Sequence, residues 1–288
     1  MYAPVLTKDP AAVQKAVQAI HREMFPEGDT EFIPKAFRWA IECFEGRYRN
    51  FQPIDALYHD FEHTLQVTLC LARLLHGMHR HRASNKPDAK QFELVLLAIL
   101  LHDTGYLKAQ GDTKGTGAKY TLVHVARSVE FSKQFLKDKG YPNNEITSIG
   151  IMIRCTGVNA DLSAIPFAAE WERTMGYALA TADLLGQMAA DDYIDKLPIL
   201  FEEFAEAARH QTKDPKATGM FSSALDLMQK TPVFWEKYVL GKINGDFNGI
   251  HRYLGENQAE IDNWYVKRIE ANIARLKERL SSQIACPA

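Results

Sequence analysis

The chain has 288 residues, a net charge of −2, 46% hydrophobic and 24% charged residues. That is ample for one large or two smaller domains with a substantial core. Neither the net charge nor any long Lys/Arg run supplies the basic footprint of a general nucleic-acid binder, and no apolar run reaches the length of a membrane span. Cys43, Cys70, Cys155 and Cys286 have no paired spacing, so neither a zinc knuckle nor a disulfide framework is indicated. With no charged-then-apolar leader at the start, the expectation is a cytoplasmic protein in a reducing compartment.

In chain order, residues 10 to 24 repeat apolar side chains at Ala12, Val13, Val17 and Ile20, with Pro10 suited to a first turn. Residues 31 to 46 form a second helical pattern with Phe37, Ala40, Ile41 and Phe44 on one side. A third runs from Tyr58 to about His81, with His76, His79 and His81 read as a solvated end. Asp88 and Gln91 have the spacing of a capping box, so the next helix begins near Ala89. It carries eight consecutive apolar residues, Leu94 to Leu101, and runs into His102, Asp103 and Gly105, the last suited to a helix stop. Apolar residues all round mark a helix enclosed by others.

A glycine-rich loop, QGDTKGTGAKY, follows, and then helical stretches from about Leu122 to Lys139 and from Pro142 to Arg154. Residues 171 to 191 form a further apolar helix containing Asp183. From Lys196 the pattern is helical and more charged, ending in DNWYVKRIEANIARLKERL. No convincing alternating strand and no internal repeat occurs, so the class is all-α. The division expected is N-terminal helices at 1–50, a central core at 51–195 and a helical extension at 196–288.

The chemistry lies in four separated places. His59 and His63 are four apart, so in a helix both rings lie on one face. His102 and Asp103 are adjacent, about 100° apart in mid-helix but able to converge at a frayed end. Asp183 is a lone carboxylate in ALATADLLGQMA and needs a partner. His124 also sits among apolar neighbours. Singly, each has a plain structural reading as a hydrogen-bonded core or capping residue. Together, so many N and O ligands in apolar helices cost on the order of several kcal/mol each without compensation, and a shared ion is the strongest compensation.

YHDFEHTLQV, then LLHDTGY about forty residues later, then a distant helical Asp, resembles the HD superfamily of metal-dependent phosphohydrolases. The first segment is also similar to the YHNxxH signature of cyclic-nucleotide phosphodiesterases, with Asp60 in place of the asparagine. The resemblance covers about residues 58 to 190 and implies an HD-like helical bundle around one or two divalent ions (Mn, Mg, Fe, Ni or Zn). Their ligands would be His63, His102, Asp103 and Asp183, with Asp103 bridging to a second ion. His59 would protonate the leaving oxygen. His124, 21 residues beyond the HD pair, is a candidate ligand of the second ion and alternatively a phosphate-binding or core residue.

The activity implied is attack of metal-activated water on a phosphodiester or nucleotide phosphomonoester. Lys108, Lys114 and Lys119 around the glycine-rich loop are candidates for holding the phosphate; the plainer reading is a solvated loop. The loop fits neither G-x-x-x-x-G-K-[ST] nor G-x-G-x-x-G. Tyr106 stands where the HD-GYP branch has lysine, and that branch's GYP signature and paired histidines are absent, which argues against cyclic-di-GMP. The asparagine-rich stretch of the phosphodiesterases is missing as well. The implied partner is a small phosphate ester such as a nucleotide, with no membrane. A non-catalytic signalling HD domain, or a closed structural metal site, is the alternative. The aromatic residues Phe234, Trp235, Tyr238, Phe247, Tyr253, Trp264 and Tyr265 suit a core, a roof over the pocket or a homodimer contact.

Overall fold

The computed structural model describes residues 4–257 and 263–285; Cys286 and Asp262 lie outside them. The described residues form ten α-helices and no strand, so the class is all-α. They are α1 (Pro10–Met24), α2 (Phe32–Phe44), α3 (Phe61–Arg80), α4 (Ala89–Leu101), α5 (His124–Asp138), α6 (Asn143–Arg154), α7 (Glu170–Met188), α8 (Tyr193–Thr212), α9 (Ala224–Val233) and α10 (Trp264–Ala285). Between α9 and α10 lie two π-helical turns, Phe234–Val239 and Lys242–Asp246, and a 3-10 turn, Ile250–Leu254. No helix among the described residues is long and apolar enough to cross a membrane.

Local signals explain the starts of the central helices. Asp88 and Gln91 close a full capping box, each side chain bonding the other's backbone N–H, so α4 begins where two orphan donors are satisfied. Every residue of α4 from Leu94 to Leu101 is buried, as expected of a helix enclosed on all sides. Asp60 caps α3 by accepting from His63 N at 2.7 Å. That cap moves the start of α3 to Phe61, and His59 precedes the helix instead of sharing its face with His63.

α3 packs along α7, and both contact α4. Gly186 allows the approach: a Cβ there would stand 2.8 Å from Val67 Cα. One hydrophobic core runs from Val13 through Leu276 and takes residues from all three segments expected from the sequence. Trp235, Phe247 and Tyr265 are buried in it. The end of α3 is not simply solvated: His76 bonds Glu23 at 2.8 Å and His81 reaches Gly255 O at 3.3 Å.

Candidate metal centre

Four side chains from three helices meet at one end of this core. His63 comes from the first turn of α3, His102 and Asp103 from the end of α4, and Asp183 from the middle of α7. His63 Nε2 lies 3.2 Å from Asp103 Oδ2 and 3.4 Å from Asp183 Oδ1. His102 Nε2 lies 3.3 and 3.5 Å from the same two oxygens. The adjacent pair converges because α4 stops at Leu101, and Asp103, at φ −107° and ψ 9°, leads into a 3-10 turn, Thr104–Tyr106. Gly105 has an ordinary negative φ and does not act as a left-handed stop. Its role is close approach, since a Cβ there would stand 2.0 Å from the His124 carbonyl oxygen. Ser128 Oγ accepts from Gly105 N at 2.8 Å, which docks the start of α5 against the site.

The donor set fits a cation. The ligand atoms of His63, His102 and Asp103 all lie within 4.8 Å of one another, so this buried group could hold a metal ion. His102 Nδ1 donates to Ile99 O at 2.7 Å, which fixes the tautomer and turns the Nε2 lone pair toward the carboxylates. His102 Nε2 and Asp103 Oδ2 are buried with no hydrogen-bond partner. Contacts of 3.2 to 3.5 Å are long for charge-assisted hydrogen bonds, which run about 2.7–2.9 Å. They match the spacing of neighbouring ligands on one ion, about 3–3.5 Å for bonds of about 2.0–2.2 Å.

Without an ion, protons take that place. Burial opposes the charged imidazole of His63, but the Asp103 and Asp183 carboxylates outweigh it and raise its pKa to about 9. His102 is likewise raised against its burial, chiefly by Asp103. Burial opposes ionisation of Asp103 and Asp183, yet the imidazoles hold both well below the usual carboxylate range.

The second oxygen of Asp103 faces elsewhere. His124 Nε2 lies 3.8 Å from Asp103 Oδ1, and its Nδ1 donates to Thr121 O at 2.6 Å, so its ring is oriented as that of His102 is. Burial pushes the His124 pKa down, favouring the neutral ligand form. Beside it stands His59, whose Nδ1 donates to Glu203 Oε2 at 2.6 Å. Glu203, buried on α8, also accepts from Tyr58 N at 2.8 Å. Burial opposes its charge, but His59 and the backbone donors keep its pKa low. The His59 ring stacks on the buried Tyr106 at 4.5 Å, and its centroid is 5.6 Å from His63 and 6.1 Å from His124.

The three lysines stand apart from this cluster. Lys108 Nζ bonds Asp55 Oδ2 at 2.7 Å and Gly115 O at 2.8 Å. Lys119 Nζ bonds Asp112 and the Lys114 carbonyl, while the Lys114 side chain is exposed. The loop itself is tied to α8, where Glu206 accepts from Thr116 N and Oγ1, and to Asp55, which accepts from Gly117 N at 2.7 Å. The ammonium groups of Lys108 and Lys119 are therefore committed to holding the loop.

Residues 39–270 match the model of the Npun_R2479-like family. The chain belongs to the Npun_R2479-like family. No curated protein matches it. The stretch shared with the Npun_R2479-like model contains every residue of the cluster, and also Glu203 and Glu206 of α8. Those two glutamates were not singled out from the sequence. The signal for Glu203 was a carboxylate on an apolar stripe, three residues after Leu200 and four before Ala207.

Proposed function

We propose that this member of the Npun_R2479-like family is a metal-dependent phosphohydrolase of the HD type, acting on a phosphodiester or a nucleotide phosphomonoester. The observation that carries the reading is the division of Asp103: one oxygen faces the imidazoles of His63 and His102, the other faces His124. A bridging carboxylate between two sets of neutral nitrogen donors suits a pair of divalent ions, with His63, His102 and Asp183 on the first and His124 on the second. Mn, Mg, Fe, Ni and Zn are all compatible with such N/O ligands. Bound there, the ions would supply acidified water and offset charge on the phosphoryl oxygens.

The protein's own groups complete the chemistry. His59, outside the ligand set and partly open to solvent, carries the proton for the leaving oxygen at Nε2. Glu203 holds its Nδ1–H and so fixes which nitrogen faces the substrate. Tyr106 supports the ring from below by stacking. The buried thiols of Cys43, Cys70 and Cys155 suit a reducing, cytoplasmic setting.

The test is hydrolysis of bis(p-nitrophenyl) phosphate and p-nitrophenyl phosphate with Mn²⁺, beside a His102→Ala/Asp103→Ala variant. Turnover of either ester that vanishes in the variant is the expected result, and the preferred ester chooses between diesterase and monoesterase. Bound metal with no turnover of either ester would favour a non-catalytic signalling domain and overturn the proposal.

A further inference from the structure

The four histidines around the site are not held alike. Nδ1 of His59 meets Glu203 Oε2, Nδ1 of His102 meets Ile99 O and Nδ1 of His124 meets Thr121 O, each at 2.6–2.7 Å. Three rings are thus fixed by protein acceptors on one nitrogen, as rings that bind metals or carry protons usually are. His63 differs. Its Nε2 faces Asp103 and Asp183, and among the described residues no group bonds its Nδ1. Yet Nδ1 is not sealed in as His102 Nε2 is, although His63 as a whole is only 3% exposed. It therefore borders a gap in the packing.

That gap is a small cavity between the start of α3, the end of α7 and the start of α8, lined by His63, Gln66, Gln187, Asp192, Tyr193 and Lys196. Its volume, about 10 Å³, is room for about one water and for nothing the size of a substrate. Two of its walls carry polar groups that are nine-tenths buried and short of partners. One end of the Gln66 amide meets Glu62 Oε1 at a long 3.4 Å, and no protein group meets the other end among the described residues. The Tyr193 hydroxyl has no hydrogen bond among the described residues, and burial alone raises its pKa. Asp192 pairs with Lys196 at 3.5 Å, so its oxygens keep lone pairs to offer.

Chemistry sets the occupant. Whether Nε2 binds an ion or shares protons with Asp103 and Asp183, Nδ1 carries a hydrogen and needs an acceptor. Gln66 and Asp192, across the cavity, need a donor. An ammonium or a metal ion cannot accept from N–H, and a simple anion cannot donate. A water does both, and a buried water makes about three hydrogen bonds.

We infer that this cavity is a site for one ordered water, which accepts from His63 Nδ1–H and donates to Gln66 and Asp192, and that Gln66 and Asp192 are thereby positioning residues for the metal centre. The Tyr193 hydroxyl supplies a fourth contact. The water gives His63 the outer partner that Ile99 O gives His102, and it ties the ring to Asp192 and Lys196 at the start of α8. This rests on the reading of the His/Asp cluster as a metal centre and says how one of its ligands is aimed.

The experiment uses crystals of the full chain, grown in EDTA and with Mn²⁺, together with Mn²⁺ titration calorimetry. The expected result is a water about 2.7–3.2 Å from His63 Nδ1, bonded to Gln66 and Asp192 in both crystals. No ordered water there, or a protein group on Nδ1, overturns the inference. Two variants test the positioning role. Ala190→Val puts methyl groups into the cavity, which Ala190 also lines, and Gln66→Met removes an acceptor at nearly constant size. Each should weaken Mn²⁺ binding by about 10–100-fold, the usual cost of losing a ligand's outer partner. Helical circular dichroism and the melting point in EDTA should be kept. Unchanged Mn²⁺ affinity in both variants overturns the positioning role. If the unaltered protein binds no ion, the metal-centre reading falls, while the EDTA crystals still judge the water site.

Discussion

Two clusters of buried charge lie within a few residues of each other in this chain, and they are built on opposite terms. In the glycine-rich loop, Lys108 and Lys119 each meet a carboxylate and a carbonyl at hydrogen-bond distance, and Glu206 and Asp55 take up the loop's backbone donors. In the His/Asp cluster the contacts stretch to 3.2–3.5 Å, and His102 Nε2 and Asp103 Oδ2 are buried without a hydrogen-bond partner. The loop is complete as protein; the cluster is completed by a cation or by extra protons. Burial of charge alone does not mark a site, because a satisfied ion pair can be pure architecture. Facing imidazole and carboxylate groups left incompletely satisfied are a place that could hold an ion.

Mutation and pH can break or sharpen that contrast. The largest effect is expected at His59, where Ala should retain metal and lower kcat by about 10²–10⁴-fold, the usual range for a general acid. Glu203→Gln should lower kcat by less than His59→Ala does, since it weakens the acceptor that holds His59 Nδ1–H but leaves the imidazole in place. Unchanged hydrolysis in His59→Ala would remove it from the mechanism. Next comes ligand-linked stability: Mn²⁺ at about a thousand times its Kd should stabilise the fold by about 4 kcal/mol, reversed by EDTA. Calorimetric melting reads this, and His102→Ala/Asp103→Ala should show none of it.

A smaller effect, a few kcal/mol at most, belongs to pH in the metal-free protein. The folded pKa of His63 is raised to about 9 from an unfolded value near 6.5, so its stabilisation is fully present below about 6.5. It is lost as pH rises through about 9. Urea unfolding in EDTA should show stability falling across that window, and a rise there would contradict the assignment. Saturating Mn²⁺ should remove the fall, since ligands bind the ion deprotonated. The smallest effect is at the loop: Lys108→Met should destabilise by about 1–2 kcal/mol and leave Mn²⁺ affinity as it was. A loss of affinity there would mean the two clusters are coupled.

The parts of the site that were legible in the sequence are those governed by local rules. The capping box at Asp88 and the unbroken apolar run placed α4, and a carboxylate inside the apolar α7 announced that Asp183 needed a partner, which it finds in His63 and His102. His59 was read one step too far into a helix. Asp60 is the N-cap, and it excludes His59 from the regular spiral; the ring still reaches the site because Tyr106 and Glu203 hold it there. Glu203 lies 144 residues from His59, so nothing in local spacing joins them. For the lysines the sequence left both a phosphate-holding role and the plainer reading of a solvated loop, because whether an ammonium faces a ligand or a protein carboxylate depends on partners such as Asp55, which only the folded loop brings near.

The central claim is that the His/Asp cluster is a metal centre, and the most direct measurement is elemental analysis with Mn²⁺ titration calorimetry of the purified protein and of His102→Ala/Asp103→Ala. At least one divalent ion per chain, lost in the variant while its helical circular dichroism is kept, is the predicted result. No bound ion in the unaltered protein, or an ion that the double substitution leaves in place, would contradict it.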